Sequence, residues 1–119
     1  MNKINIEEKF NLFSDQWSPK IVAELNDSYI KLAKIKGEFT WHKHDDEDEM
    51  FYVVSGKLEL HFENKTTTLN AGEFIVVEKG TIHMPVAKNE VKIMLIESKS
   101  TVNTGDVRNE KTVMDLQWI

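Results

Sequence analysis

KLELHF, residues Lys57–Phe62, is the stretch whose reading decides the fold. Leu58, Leu60 and Phe62 alternate with Lys57, Glu59 and His61, the period of two that sends successive side chains to opposite faces of a strand. One face is buried and the other wet, as in an antiparallel sheet. Outward from this strand the chain is punctuated at Asn26-Asp27, Gly37, Ser55-Gly56, Glu63-Asn64-Lys65, Asn70-Ala71-Gly72 and Lys79-Gly80. The runs between are rich in Val, Ile, Leu and Phe, and predict further strands near 20–25, 29–36, 38–43, 49–54, 66–69, 73–77, 81–87 and 91–97. Breaks this regular belong to an antiparallel sandwich or barrel. At the N-terminus Asn5 is placed to cap a helix, Glu8 completes a capping box, and Ile6, Phe10 and Phe13 recur at helical spacing. The expectation is one mainly β domain over residues 1–119: a helix-bearing segment at 1–18, a barrel core at about 20–98 and a tail at 99–119. That tail is polar through Asn103-Thr104-Gly105-Asp106 and apolar again at Val113, Met114, Leu116, Trp118 and Ile119, so it should pack on its own barrel or on a neighbouring subunit.

Composition narrows the chemistry. With 119 residues, 40% of them hydrophobic and 29% charged, the chain can bury a modest core without covalent staples. It has no cysteine, which removes disulfides, thiolate catalysis and sulfur-ligated metals, and suits a reducing cytoplasm. Any metal must be held by nitrogen and oxygen. The longest apolar runs, Phe74–Val77 and Ile93–Ile96, are too short to span a bilayer, and MNKINIEEKF has no apolar signal core. A net charge of −5 argues against nucleic acid or an anionic membrane as partner.

WHKHDDEDEM, Trp41–Met50, sets two histidines one residue apart before five consecutive acidic residues. On an extended strand positions i and i+2 share a face, so the imidazoles of His42 and His44 can converge on one cation. Asp45 to Asp48 read as a solvated loop. Glu49 differs, because it opens the strand EMFYVV with Phe51 and Val53 on its face, and an unpaired charge buried there is costly unless a cation accompanies it. His83, between Ile82 and Met84, is a candidate fourth ligand. His61 falls on the wet face of its strand, and the rings of Trp41 and Phe51 read as core or pocket wall.

These residues carry a resemblance. The run Gly37-EFTW-His42-Lys-His44-DDED-Glu49-MFYVVS-Gly56 resembles the first motif of the cupin superfamily, with one residue fewer between Gly37 and His42. Gly72-EFIVV-Glu78-Lys-Gly80-TI-His83-MPV-Ala87 resembles the second, with Glu78 where that motif has proline and Ala87 where it has asparagine. The resemblance covers roughly residues 30–97 and is to small single-domain cupins. It implies a double-stranded β-helix, or jelly-roll barrel, holding a divalent metal ion (iron, manganese, nickel, cobalt or zinc) on His42, His44, Glu49 and His83.

A cupin metal with open positions implies an enzyme acting on a small oxygen-rich molecule, such as a sugar, hydroxy acid or carboxylate, by isomerase, lyase or oxygenase chemistry. The fold does not choose among these, and a non-catalytic binding module for a small molecule or the metal is the alternative. A barrel whose histidines are relics is a third reading. Tyr52, Lys34 and Glu78 are the residues that could titrate near a pocket. Small cupins are often paired through sheet edges, so a homodimer is expected, with Phe10–Trp17 and Trp118-Ile119 as contacts.

Overall fold

The computed structural model describes residues 1–119. Helix α1 spans only Ile6–Phe10, the side-chain oxygen of Asn5 accepting from the Glu8 amide at 3.0 Å as the capping pattern predicted. Eight strands follow: β1 Lys20–Leu25, β2 Ser28–Glu38, β3 Glu49–Ser55, β4 Lys57–Phe62, β5 Thr66–Asn70, β6 Phe74–Val77, β7 His83–Ser98 and β8 Gln117–Trp118.

The long strand β7 organises the rest. One edge pairs with β2, from Ser28↔Ser98 to Glu38↔Val86. The other edge is shared: β4 takes the first part, up to Phe62↔His83, and β3 takes the second, from Glu49↔Glu97 onward. Strand β5 extends the β4 arm and β6 the β3 arm. These two arms fold over one core built of Ala33 and Ile35 from β2, Phe51 and Val53 from β3, Leu58 and Leu60 from β4, and Val91, Ile93 and Leu95 from β7. The corner between the arms is Gly56, whose φ of +92° and whose approach to Val91, 3.0 Å from a Cβ built there, both require glycine. This is the jelly-roll arrangement that the resemblance implied, and it fits the antiparallel sandwich or barrel expected from the strand pattern.

On the outer face of the sheet, Phe10 of α1 packs with Val22 and Leu32 and is fully buried. Burying such a ring contributes about 1.5–3 kcal/mol, so the short helix is held by packing rather than by its own propensity. No helix is long and apolar enough to cross a membrane.

Two predicted strand assignments need correction. The regions near 81–87 and 91–97 form one strand, β7, with a bulge opposite Ile35/Gly37. The region near 38–43 is not a strand beyond Glu38; His42 makes only an isolated bridge to His83. The reason lies far away in sequence. Phe39 and His42 still bond Pro85 and His83 of β7, but the Lys43 carbonyl accepts from the Asp106 amide at 3.0 Å and its amide donates to Asp106 Oδ1 at 3.0 Å, so at Lys43 the tail takes the hydrogen bonds that a neighbouring strand would have taken.

The tail packs on its own barrel. The Ile119 amide donates to the Ile21 carbonyl at 3.0 Å, β8 pairs in parallel with β1, and the Trp118 ring meets Tyr29 edge-on.

Candidate metal centre

The paired amides and carbonyls of His42 and His83, 3.0 and 2.9 Å apart, bring the end of β7 against the segment after β2. The Gly80 amide donates to the His44 carbonyl at 2.7 Å and fixes the next turn. Glu49 is the first residue of β3. The result is a buried cluster: His42, His44 and His83 each present a ring nitrogen, all within 4.8 Å of one another. Ring centroids lie 4.3 Å apart for His42–His83, 5.0 Å for His42–His44 and 5.8 Å for His44–His83. Glu49 joins them, with Oε2 3.2 Å from His44 Nε2 and Oε1 3.7 Å from His83 Nε2.

Two of the rings are oriented by the same device. His42 Nδ1–H donates to the Thr40 carbonyl and His83 Nδ1–H to the Thr81 carbonyl, each at 2.8 Å, which leaves both Nε2 lone pairs free. His83 Nε2 and both nitrogens of His44 are buried with no hydrogen-bond partner; the His44–Glu49 approach is close but lacks hydrogen-bond angles. Glu49 is 4% exposed and meets no lysine or arginine. Unpaired imidazole lone pairs beside a buried carboxylate with no lysine or arginine partner form a donor set able to hold a divalent ion.

Electrostatics fits that reading. Burial, with His83 adding to it, pulls the His42 pKa down to about 4, so the ring is a neutral ligand at neutral pH. Burial also opposes charge on His44, but the adjacent Glu49 outweighs it and raises His44 above the ordinary value. For Glu49, burial is outweighed by the neighbouring Glu97 carboxyl and the imidazoles of His44 and His83, and its pKa lies well below the carboxylate range. Burial and the charge of Glu49 push Glu97 well above that range.

The model of the cupin domain matches residues 29–97, more than half of the chain. The chain belongs to the cupin family. A solved cupin-2 domain protein from Shewanella frigidimarina is 50% identical to this cupin, with a TM-score of 0.80 over 81% of this chain and 94% of its own. The uncharacterised protein YdbB of Bacillus subtilis is 41% identical over 63 residues, 52% of this chain and 56% of that protein. A protein of Saccharolobus solfataricus provisionally named a dioxygenase is 27% identical over 105 residues, 86% of this chain and 27% of that protein. This cupin thus spans about half the length of one curated relative and about a quarter of the other.

Beside the cluster lies a cavity of about 40 Å³, walled by Trp17, Ile35, Phe39, Phe51 and Leu95 among others. Its polar lining is confined to His42, Glu49, Glu97 and Asn103. Tyr52, Lys34 and Glu78 do not line it, and Lys34 instead donates to the Phe13 carbonyl at 2.6 Å. Phe51 is pocket wall as read from sequence, but Trp41 is 45% exposed and belongs to neither core nor pocket. His61 pairs with Glu59 at 3.0 Å, away from the cluster.

Two residues escaped the sequence reading. Lys31 on β2 and Glu97 on β7 form an ion pair at 2.7 Å, both side chains only 2% exposed. The signal was present: Glu97 has the parity of Val91, Ile93 and Leu95, and Lys31 that of Ala33 and Ile35, all core residues.

Proposed function

We propose that this cupin holds one divalent transition-metal ion on His42, His44, His83 and Glu49, and acts as an enzyme on a small oxygen-bearing molecule in the adjoining cavity. The observation that carries the reading is Glu49, buried beside the imidazoles of His44 and His83 with no lysine or arginine near it. A metal bound there supplies Lewis-acid or redox chemistry to an oxygen ligand.

The chain's own residues would set the rest. Thr40 and Thr81 hold the rings of His42 and His83 in one tautomer. The walls of Trp17, Ile35, Phe39, Phe51 and Leu95 exclude water and select for shape. Of the substrate classes expected, a sugar fits least. Each hydroxyl turned to an apolar wall would lose its water partners at about 1–3 kcal/mol, and a single water needs roughly 10–15 Å³ of such a cavity. The fit is to a short carboxylate or hydroxy acid, its oxygens at the His42–Glu49 end and its body among the apolar walls.

One observation favours a non-catalytic binder: apart from His42 and Glu49, Glu97 is the only ionisable group in the cavity, so no independent general base stands ready. Turnover of short hydroxy acids and carboxylates by the metal-loaded chain decides between the two. Conversion of any of them supports the enzyme, and saturable binding without conversion supports the binder. The reading also takes the chain as a homodimer, supported by the exposed Leu12 and Trp118 at the two segments expected to meet, and a monomer in sedimentation at micromolar concentration would count against it.

A further inference from the structure

We infer that Glu97, anchored by Lys31, is a positioning residue that holds Glu49 toward the imidazoles of His44 and His83, an inference that rests on the metal centre proposed above. Glu49 and Glu97 are direct register partners in the β3–β7 ladder, so their side chains rise side by side from one face. On the far side of Glu97, Lys31 Nζ lies 2.7 Å from Oε1. The Glu97 carboxyl is therefore fixed at one oxygen, and its other oxygen, buried and without a hydrogen-bond partner, belongs to the residue directly opposite Glu49 in the ladder. The row Lys31–Glu97–Glu49 crosses three strands of the barrel interior and ends at the histidines. With a divalent ion at its end, every carboxylate in the row has a positive neighbour.

A purely structural role explains the row poorly. Its neighbours are Ala33, Ile93 and Leu95, and a buried ion pair in such surroundings contributes little over apolar side chains of the same volume. What the pair does supply is an anchored carboxyl directly opposite a ligating one, placed as an outer-shell neighbour that orients a metal ligand.

The test uses the full chain, metal-free, titrated calorimetrically with Mn²⁺ alone and with Zn²⁺ alone, alongside thermal unfolding. The double variant Lys31→Met/Glu97→Leu leaves no orphaned charge and should unfold no earlier than wild type, yet bind either ion about 10–100-fold more weakly. Glu97→Gln, which keeps an N–H for Glu49 and a carbonyl for Lys31, should retain most of the affinity that Glu97→Ala loses. Metal bound by the double variant as tightly as by wild type overturns the positioning role and leaves the centre standing. A wild-type chain that binds neither ion overturns both. Where the double variant does not fold, the Glu97→Ala and Glu97→Gln pair decides alone: loss with rescue supports the role, and equal affinities overturn it.

Discussion

Glu49 and Glu97 stand opposite each other in the β3–β7 ladder, two carboxyls on one buried face of a small barrel. Like charges in that position repel, and here their environments differ: Glu97 has Lys31 at 2.7 Å on its far side, whereas Glu49 has the imidazoles of His44 and His83 and no lysine or arginine. With no lysine or arginine beside it, Glu49 is left to the imidazoles and to the proposed ion.

Removal of one imidazole should abolish metal binding without unfolding the chain. His83→Ala takes away a ring whose Nε2 has no protein partner, while Val53, Leu58 and Leu60 keep the core buried. Affinity should fall by more than the roughly 100-fold that an outer-shell loss costs, with circular dichroism unchanged. An unfolded variant would make the ion structural instead.

Metal affinity should fall on acidification, and His44 sets where. Its pKa is raised in the metal-free chain, so a proton occupies it at pH values where an ordinary histidine has lost one, and the ion must displace that proton. Below that raised pKa the affinity should drop about tenfold per pH unit. Titrations at several pH values check this, and an affinity flat between neutral pH and mildly acid pH contradicts nitrogen ligation by His44.

His42 adds a stability effect of definite sign. Its folded pKa of about 4 lies below the unfolded value of 6.5, so the unfolded chain binds the extra proton and the metal-free fold loses stability as pH falls through that interval. The full loss from His42 is about 3 kcal/mol at the acid end, with His44 working in the opposite sense. Denaturant unfolding of wild type and His42→Gln across the interval should show a shallower slope for the variant.

Much of the barrel was legible because its strands are short, regular and one-sided. Lys20–Leu25 and Lys57–Phe62 lie where their patterns predicted. The ligand candidates were also legible, since His42, His44 and Glu49 are near in sequence and His83 lies between two apolar residues. The segment after Gly37 was misread because its ladder to β7 is reduced to Phe39–Pro85 and the His42–His83 pair, while Lys43 bonds Asp106, a partner no local pattern reveals. The tail's role was hidden for the same reason: Gly105 lies against Lys43, and a Cβ there would come 2.1 Å from the Lys43 carbonyl oxygen and 3.1 Å from His42 Cδ2.

That contact gives a further expectation. Gly105 also has φ +57°, where a non-glycine residue costs about 1–2 kcal/mol. Gly105→Ala should therefore destabilise the fold by at least that amount and weaken metal binding through His42. Equal unfolding midpoints for variant and wild type would mean that the tail does not brace the histidine segment.

The most direct measurement is elemental analysis of the chain purified without added metal, and again after exposure to divalent ions and removal of the excess, in wild type and Glu49→Gln. The prediction is one divalent ion per wild-type chain and a marked loss in the variant. A wild-type chain that retains no ion after such loading, or a variant that retains it equally, would contradict a metal centre built on Glu49 and three histidines.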